Sequence, residues 1–362
     1  MSKRILDFHH QANRLFGRFL DINDYGESAN GVYDVIITHR QIEEDGEIEE
    51  LIKYCKKTTK VIVDITTESG QIELFIDRFN KIINKYPYKF ILISDAPIKT
   101  TINCQVIDDY SLAFASHLND SMGGRVYYHP TGAKLLHGID SFNGSLRIQR
   151  LWLNYFFIKK FQHTQLPLSV EFNHYINLGK GPKFYQEEFE TNLKELPKSI
   201  RDTLLYKQYV NPPGKIIDIE QFNDLKHHTS TVNIVSENTI GNDMNAQDDS
   251  FHITFTEKTI KPFVRGQIPL IHSYVGLQSK LRELGFDLYD DFVNYSYENE
   301  SDSVKRLEMI VDEGKRLLYL DTEKYIGENQ IRIYNNKKLC EEIVNKGKNI
   351  IYDIIENIIL EK

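Results

Sequence analysis

Two short clusters of polar residues in this 362-residue chain carry the types and spacing that can hold a charged ligand. Ser236-Glu237-Asn238 ends an apolar, β-branched run that includes Val232, Ile234 and Val235. After a polar stretch rich in Asn and Asp, the chain re-enters at Phe251–Phe255 and reaches Thr256-Glu257-Lys258. A helical segment with Lys261 and Pro262 follows, then Gly266 and a second apolar run, Ile268–Ile271. The pattern reads as strand, loop, helix, strand, with Thr256 as helix N-cap and Glu257 in the first turn. The first turn of a helix exposes unpaired N–H groups and partial positive charge, so it can seat an anion such as a diphosphate. Lys258 and Lys261 add positive charge there, while the carboxylates of Glu237 and Glu257 can accept hydrogen bonds. Pro262 has no N–H to donate, which predicts a kink after the first turn.

The ordered set SENT, FTEK, a Lys/Pro helix, Gly and IPLI resembles the donor-site motif of two-domain (GT-B) glycosyltransferases. It is most similar to the α-1,3-fucosyltransferases and to glycosyltransferase-like proteins of viruses and phages. The similarity covers about forty residues, with a looser match at Val275–Phe286. The loop between Glu237 and Glu257 is longer than in the fucosyltransferase pattern, so the motif leaves the donor sugar open. The resemblance implies an α/β fold with two Rossmann-like domains facing across a cleft. It further implies a nucleotide-sugar co-substrate, no other cofactor and no metal. Ser236, Glu237, Asn238, Thr256, Glu257, Lys258 and Lys261 would then contact the nucleotide-sugar. The family also opens its second domain with a basic segment that meets the donor phosphates. Arg147 and Arg150, near the start of a helical stretch at Ser145–Phe161, fit that position, and Arg grips phosphate bidentately. Two solvated arginines on a helix face is an equal alternative.

The elements that must position these groups are legible in part. Val32–Thr38, Lys60–Ile65 and Lys89–Ser94 read as buried strands, separated by helical patterns at Glu47–Lys56 and Ile72–Lys85. Such alternation implies parallel strands joined by right-handed crossovers, hence a Rossmann-like sheet. Ligands of such sheets lie beyond the carboxyl ends of the strands, where His39, Arg40, Asp64, Glu68 and Asp95 fall. An inverting transfer needs a general base on the acceptor side, and Asp64, Glu68 and Asp95 are the candidates. Acids after strands also serve simply as helix caps.

Between Asn119 and Ser145 six glycines and prolines loosen the pattern, which suggests an inter-domain region. The expected division is an acceptor domain over 1–140, a donor domain over 141–330 and a final helix over 331–362 that packs back on the first domain. A helix for dimerisation is the competing role for that last segment, and the oligomeric state stays open. Residues 163–228 are hard to read beyond a Pro197-led helix through Tyr206. Later helices are expected at Val275–Leu284, Ser303–Leu318 and Asn335–Leu360. Asp290-Asp291 lacks the middle residue of a metal-binding DxD and reads as structural.

Composition sets the outer bounds. Apolar content of 41% and charged content of 27% are ordinary for a globular protein. With 44 Lys+Arg against 52 Asp+Glu, the net charge of −8 does not recruit nucleic acid or an anionic membrane in bulk. Cys55, Cys104 and Cys340 lack metal-ligand spacing and read as free thiols in a reducing compartment. No signal peptide is evident, and no apolar run approaches the roughly twenty residues that span a bilayer. These features favour the cytoplasm, the host's if the chain is viral. Acceptors in keeping with the motif are a glycan or a hydroxymethylated DNA base, as phage transferases decorate. A non-catalytic protein that binds sugar-nucleotides is the reading from another class.

Overall fold

The computed structural model describes residues 4–8, 16, 24–25, 30–39, 45–66, 72–85, 89–95, 98, 104–119, 136–142, 148–161, 168–171, 190–210, 230–237, 255 and 257–360. The chain is α/β and divides into two compact units. One comprises Met1–Val126, Asp248–Glu257 and Cys340–Lys362; the other comprises Tyr127–Gln247 and Lys258–Leu339.

The first unit holds strands β1 (Ile5–Asp7), β2 (Asp24–Tyr25), β3 (Tyr33–His39), β4 (Cys55–Asp64), β5 (Lys89–Ser94) and β6 (Gln105–Asp108). Helices α1 (Asp45–Lys53), α2 (Ile72–Lys85) and α3 (Tyr110–Asn119) alternate with them. All strand pairs are parallel, in the order β2-β1-β3-β4-β5-β6. Parallel strands bury both faces, so they need apolar residues at every position. KVIVDI and KFILIS supply this: Ile62, Ile91 and Ile93 serve one core, Val61, Val63 and Leu92 the other. The first core is completed by Leu112 and Ala115 of α3 and by Ile351, Ile354, Ile355 and Ile359 from the end of the chain. The second is completed by Leu51 of α1 and by Ile76 and Phe79 of α2. Phe255 belongs to this unit too, its ring edge-on to Tyr110 at 5.4 Å.

The helix expected to reach Lys56 stops at Lys53, because Cys55 already enters β4 beside Tyr33 of β3. Strands β1, β2 and β6 have three, two and four residues, too short to give a periodicity.

The second unit is a parallel sheet of β7 (Leu136–Phe142), β8 (Leu168–Glu171), β9 (Ser230–Ser236) and β10 (Ile268–His272), in the order β10-β9-β7-β8. Its helices are α4 (Ile148–Phe161), α5 (Lys198–Val210), α6 (Glu257–Arg265), α7 (Leu277–Glu283) and α8 (Ser303–Leu317). The stretch read as a loosened connection therefore contains β7, a strand of this sheet. Gly314 lets α8 lie close on the sheet: an added Cβ would stand 2.8 Å from Ile234 and 3.4 Å from Ile139. Lys160 of α4 reaches Asp312 of α8 at 2.7 Å and Glu308 at 3.1 Å. Asp290 and Asp291 are held by guanidinium groups, Arg282 and Arg332 respectively, at 2.7 and 2.8 Å.

The last long helix, α9, runs over Thr322–Asp353 and continues into a π-helical turn at Ile354–Ile359. It starts earlier than the expected Asn335. Its residues up to Leu339 belong to the second unit and those from Cys340 to the first.

Candidate functional site

In the second unit the strand order turns back at β7: β8 lies on one side of it and β9 on the other. Parallel sheets bind ligands beyond the carboxyl ends of their strands at such a reversal. Strand β9 ends there in Ser236, which is the register partner of His272, the last residue of β10. Helix α4 begins beside them. Arg150, in its first turn, is 1% exposed, and its Nη2 donates to the Ser236 carbonyl at 3.5 Å. Gln149 Nε2 donates to the Glu237 carbonyl at the same distance.

Glu237 is the hub of this edge. Its N–H donates to the His272 carbonyl at 2.9 Å. Its buried carboxylate accepts from the Thr259 N–H at 3.1 Å through Oε1, and from the Thr259 hydroxyl through the same oxygen. Thr259 is the third residue of α6, so Glu237 caps this helix from another strand end. Thr256, the expected N-cap, lies outside the described residues. Oε1 of Glu237 holds the tip of this helix, because a carboxylate is favourably placed against the positive end of a helix. Lys258 and Lys261 sit half-buried on the first turns of α6, and Glu257 is its first residue.

Pro262 stands inside α6 rather than at its start. The helix ends in a Schellman motif: Gln267 N–H donates to the Pro262 carbonyl at 2.9 Å and Gly266 N–H to the Phe263 carbonyl at 3.2 Å. Gly266 has φ +72°, and a Cβ there would meet Ile333 at 2.8 Å. Gly266→Ala is therefore expected to cost at least about 1–2 kcal/mol, from the left-handed backbone alone. Urea unfolding would read this as a lower midpoint.

His272 is fully buried, with Nε2 3.0 Å from Ser303 Oγ and 3.2 Å from the Ser303 carbonyl oxygen. Burial, reinforced by the positive charge of Arg306, pushes its pKa down to about 3, so the ring is neutral at physiological pH. Arg306, one turn along α8 from Ser303, donates through Nη1 to the Glu300 carbonyl at 2.5 Å. Gln149, His272, Ser303 and Arg306 went unrecognised in the sequence. The one local signal was a histidine closing the otherwise apolar run IPLIH.

On the first unit, Asp64 closes β4 and Asp95 follows β5, both buried. Asp64 Oδ1 accepts from Thr66 N–H at 2.9 Å and from the Thr66 hydroxyl at 2.7 Å, a local turn that holds the strand end. Strand alternation puts Asp64 and Asp95 on the same sheet face as Asp7, a buried residue that closes β1. His39 ends β3. Arg40, Glu68, Arg147 and Asn238 lie outside the described residues.

Among the described residues no group of three His, Cys, Asp or Glu side chains could hold a metal ion. Cys55, Cys104 and Cys340 are free, and burial raises all three thiols, Cys55 to about 12 and Cys104 to about 11. No described helix is long and apolar enough to cross a membrane. No protein-family model, no curated protein and no solved structure matches the chain.

Proposed function

We propose that the chain is a metal-independent glycosyltransferase of GT-B organisation, which moves a sugar from a nucleotide-sugar to an acceptor hydroxyl. One observation supports this most. Arg150, the Ser236-Glu237 pair and the first turn of α6 are far apart in sequence, yet they meet at the carboxyl edge of one parallel sheet, beside its reversal point. In this reading the second unit binds the donor. Lys258 and Arg150 balance the negative charge that develops on the departing diphosphate, a role that preorganised cations fill well. Glu237 acts one step back, by fixing the tip of α6 on the strand end.

The acceptor side falls to the first unit. Asp64, Glu68 or Asp95 takes the proton of the attacking hydroxyl, and the new glycosidic bond forms as the bond to the diphosphate breaks. A net charge of −8 favours an uncharged glycan over a modified base in DNA, whose phosphates demand compensating positive charge.

The test is a calorimetric titration with a panel of nucleotide-sugars, on the full chain and on Lys258→Ala. The variant is expected to keep its circular dichroism spectrum and to lose affinity by about tenfold or more, the worth of one charge-assisted hydrogen bond. If no nucleoside diphosphate or nucleotide-sugar binds the unaltered chain or raises its Tm, the reading is wrong.

A further inference from the structure

Three hydrogen-bonding atoms at the carboxyl edge of the second sheet are buried and make no hydrogen bond among the described residues: Ser236 Oγ, His272 Nδ1 and Arg306 Nε. Their residues are 0%, 0% and 6% exposed. Buried polar atoms are nearly always satisfied, so three unspent ones in one neighbourhood call for an explanation.

They belong to one neighbourhood by register and helix geometry. Ser236 and His272 are partners on adjacent parallel strands, so their side chains leave the same face of the sheet. Alternation along β9 puts Ile234 on that face too, and Ile234 abuts Gly314 of α8. The first residue of α8, Ser303, touches the His272 ring, and Arg306 follows one turn later. The nearest carboxylates to Arg306 are otherwise engaged. Glu300 pairs with Lys305 at 2.5 Å, and Asp302 accepts from the Lys305 N–H at 2.9 Å as the N-cap of α8. The Arg306 guanidinium thus makes no ion pair among the described residues.

We propose that Ser236, His272 and Arg306 form an oxyanion seat that takes a phosphoryl group. When Ser303 Oγ–H donates to His272 Nε2, the ring proton resides on Nδ1. Ser236 O–H, His272 Nδ1–H and Arg306 Nε–H are then three unused donors in one neighbourhood, with one full positive charge among them. The tip of α6, in contrast, already carries the carboxylate of Glu237. Naming the anion as a phosphate of the nucleotide-sugar rests on the proposed function; the seat itself rests on the three unspent groups.

The experiment is calorimetry of the full chain with inorganic pyrophosphate at low salt, on the unaltered protein, Ser236→Ala and Arg306→Gln, with Tm recorded for each. Pyrophosphate is expected to bind the unaltered chain and to bind each variant about tenfold more weakly. Ser236→Ala separates binding from packing. It deletes a hydroxyl that makes no hydrogen bond among the described residues, so its Tm is expected to hold or rise while affinity falls. Equal affinity in Ser236→Ala, or no binding of pyrophosphate to the unaltered chain, overturns the seat. Sugar transfer from a nucleotide-sugar with unchanged pyrophosphate affinity in the variants would remove the seat and leave the glycosyltransferase reading standing. Weakened pyrophosphate binding in the variants, without any nucleotide-sugar binding, would keep the seat and remove that reading.

Discussion

Gly347→Ala is expected to destabilise the protein by about 2 kcal/mol, even though alanine is the better helix former. An added Cβ at this position of α9 would stand 2.1 Å from the backbone carbonyl oxygen of Ser111 and 2.7 Å from Ala115 Cβ, both on α3. Backbone in a packed helix pair cannot yield as a flexible side chain can, and overpacking of this kind costs about 1–3 kcal/mol or more. The gain in helix propensity, about 1 kcal/mol, offsets only part of it. The internal control is Gly327→Ala in the same helix, where a Cβ would meet nothing within 4 Å. That change is expected to stabilise by up to about 1 kcal/mol. Chemical unfolding of the two variants should shift the midpoint in opposite directions. A shift in the same direction would mean that α9 does not lie on α3 as described.

Acid is expected to weaken the fold through His272. The folded ring has its pKa depressed to about 3 by burial and by Arg306, against about 6.5 for an exposed histidine. Between those values the unfolded chain binds a proton that the folded one refuses. The sign follows: the neutral ring costs the fold nothing above about pH 6.5, and stability drains away as the pH falls from there toward 3. At pH 5 the loss is about 2 kcal/mol, from a gap of about 1.5 pH units. Carboxylates held low, such as Asp287 beside Arg332, add their own losses deeper in acid. His272→Gln isolates the histidine, since its amide can still reach Ser303 and does not titrate. Its stability should be nearly flat from pH 7 to 5, while the unaltered protein declines. Parallel curves for the two proteins would show that the buried imidazole is not responsible.

Several elements were readable because their burial is uniform. Lys89–Ser94 and Ile72–Lys85 have the boundaries that periodicity indicates, since a strand buried on both faces and an amphipathic helix each leave an unmistakable pattern. LHGIDSF, which forms β7, leaves none. It is a strand because β8 and β9 pair with it on either side, which no local rule reports. The contact of Glu237 with the first turn of α6 is hidden from the sequence for a related reason. A search for capping residues looks just upstream of a helix, whereas Glu237 reaches Thr259 across 22 residues of intervening chain.

The sequence by itself determined an α/β chain with apolar parallel strands, a charged first turn at Glu257-Lys258 and acids at strand ends, because burial periodicity and residue chemistry are local properties. Only the tertiary structure decided that Glu237 reaches the helix tip. It also decided that His272 is neutral, and that Arg306 and Ser236 keep unspent donors beside it. Those outcomes depend on which strand lies next to which and on how deeply each polar atom is removed from water, and chain-distant packing sets both.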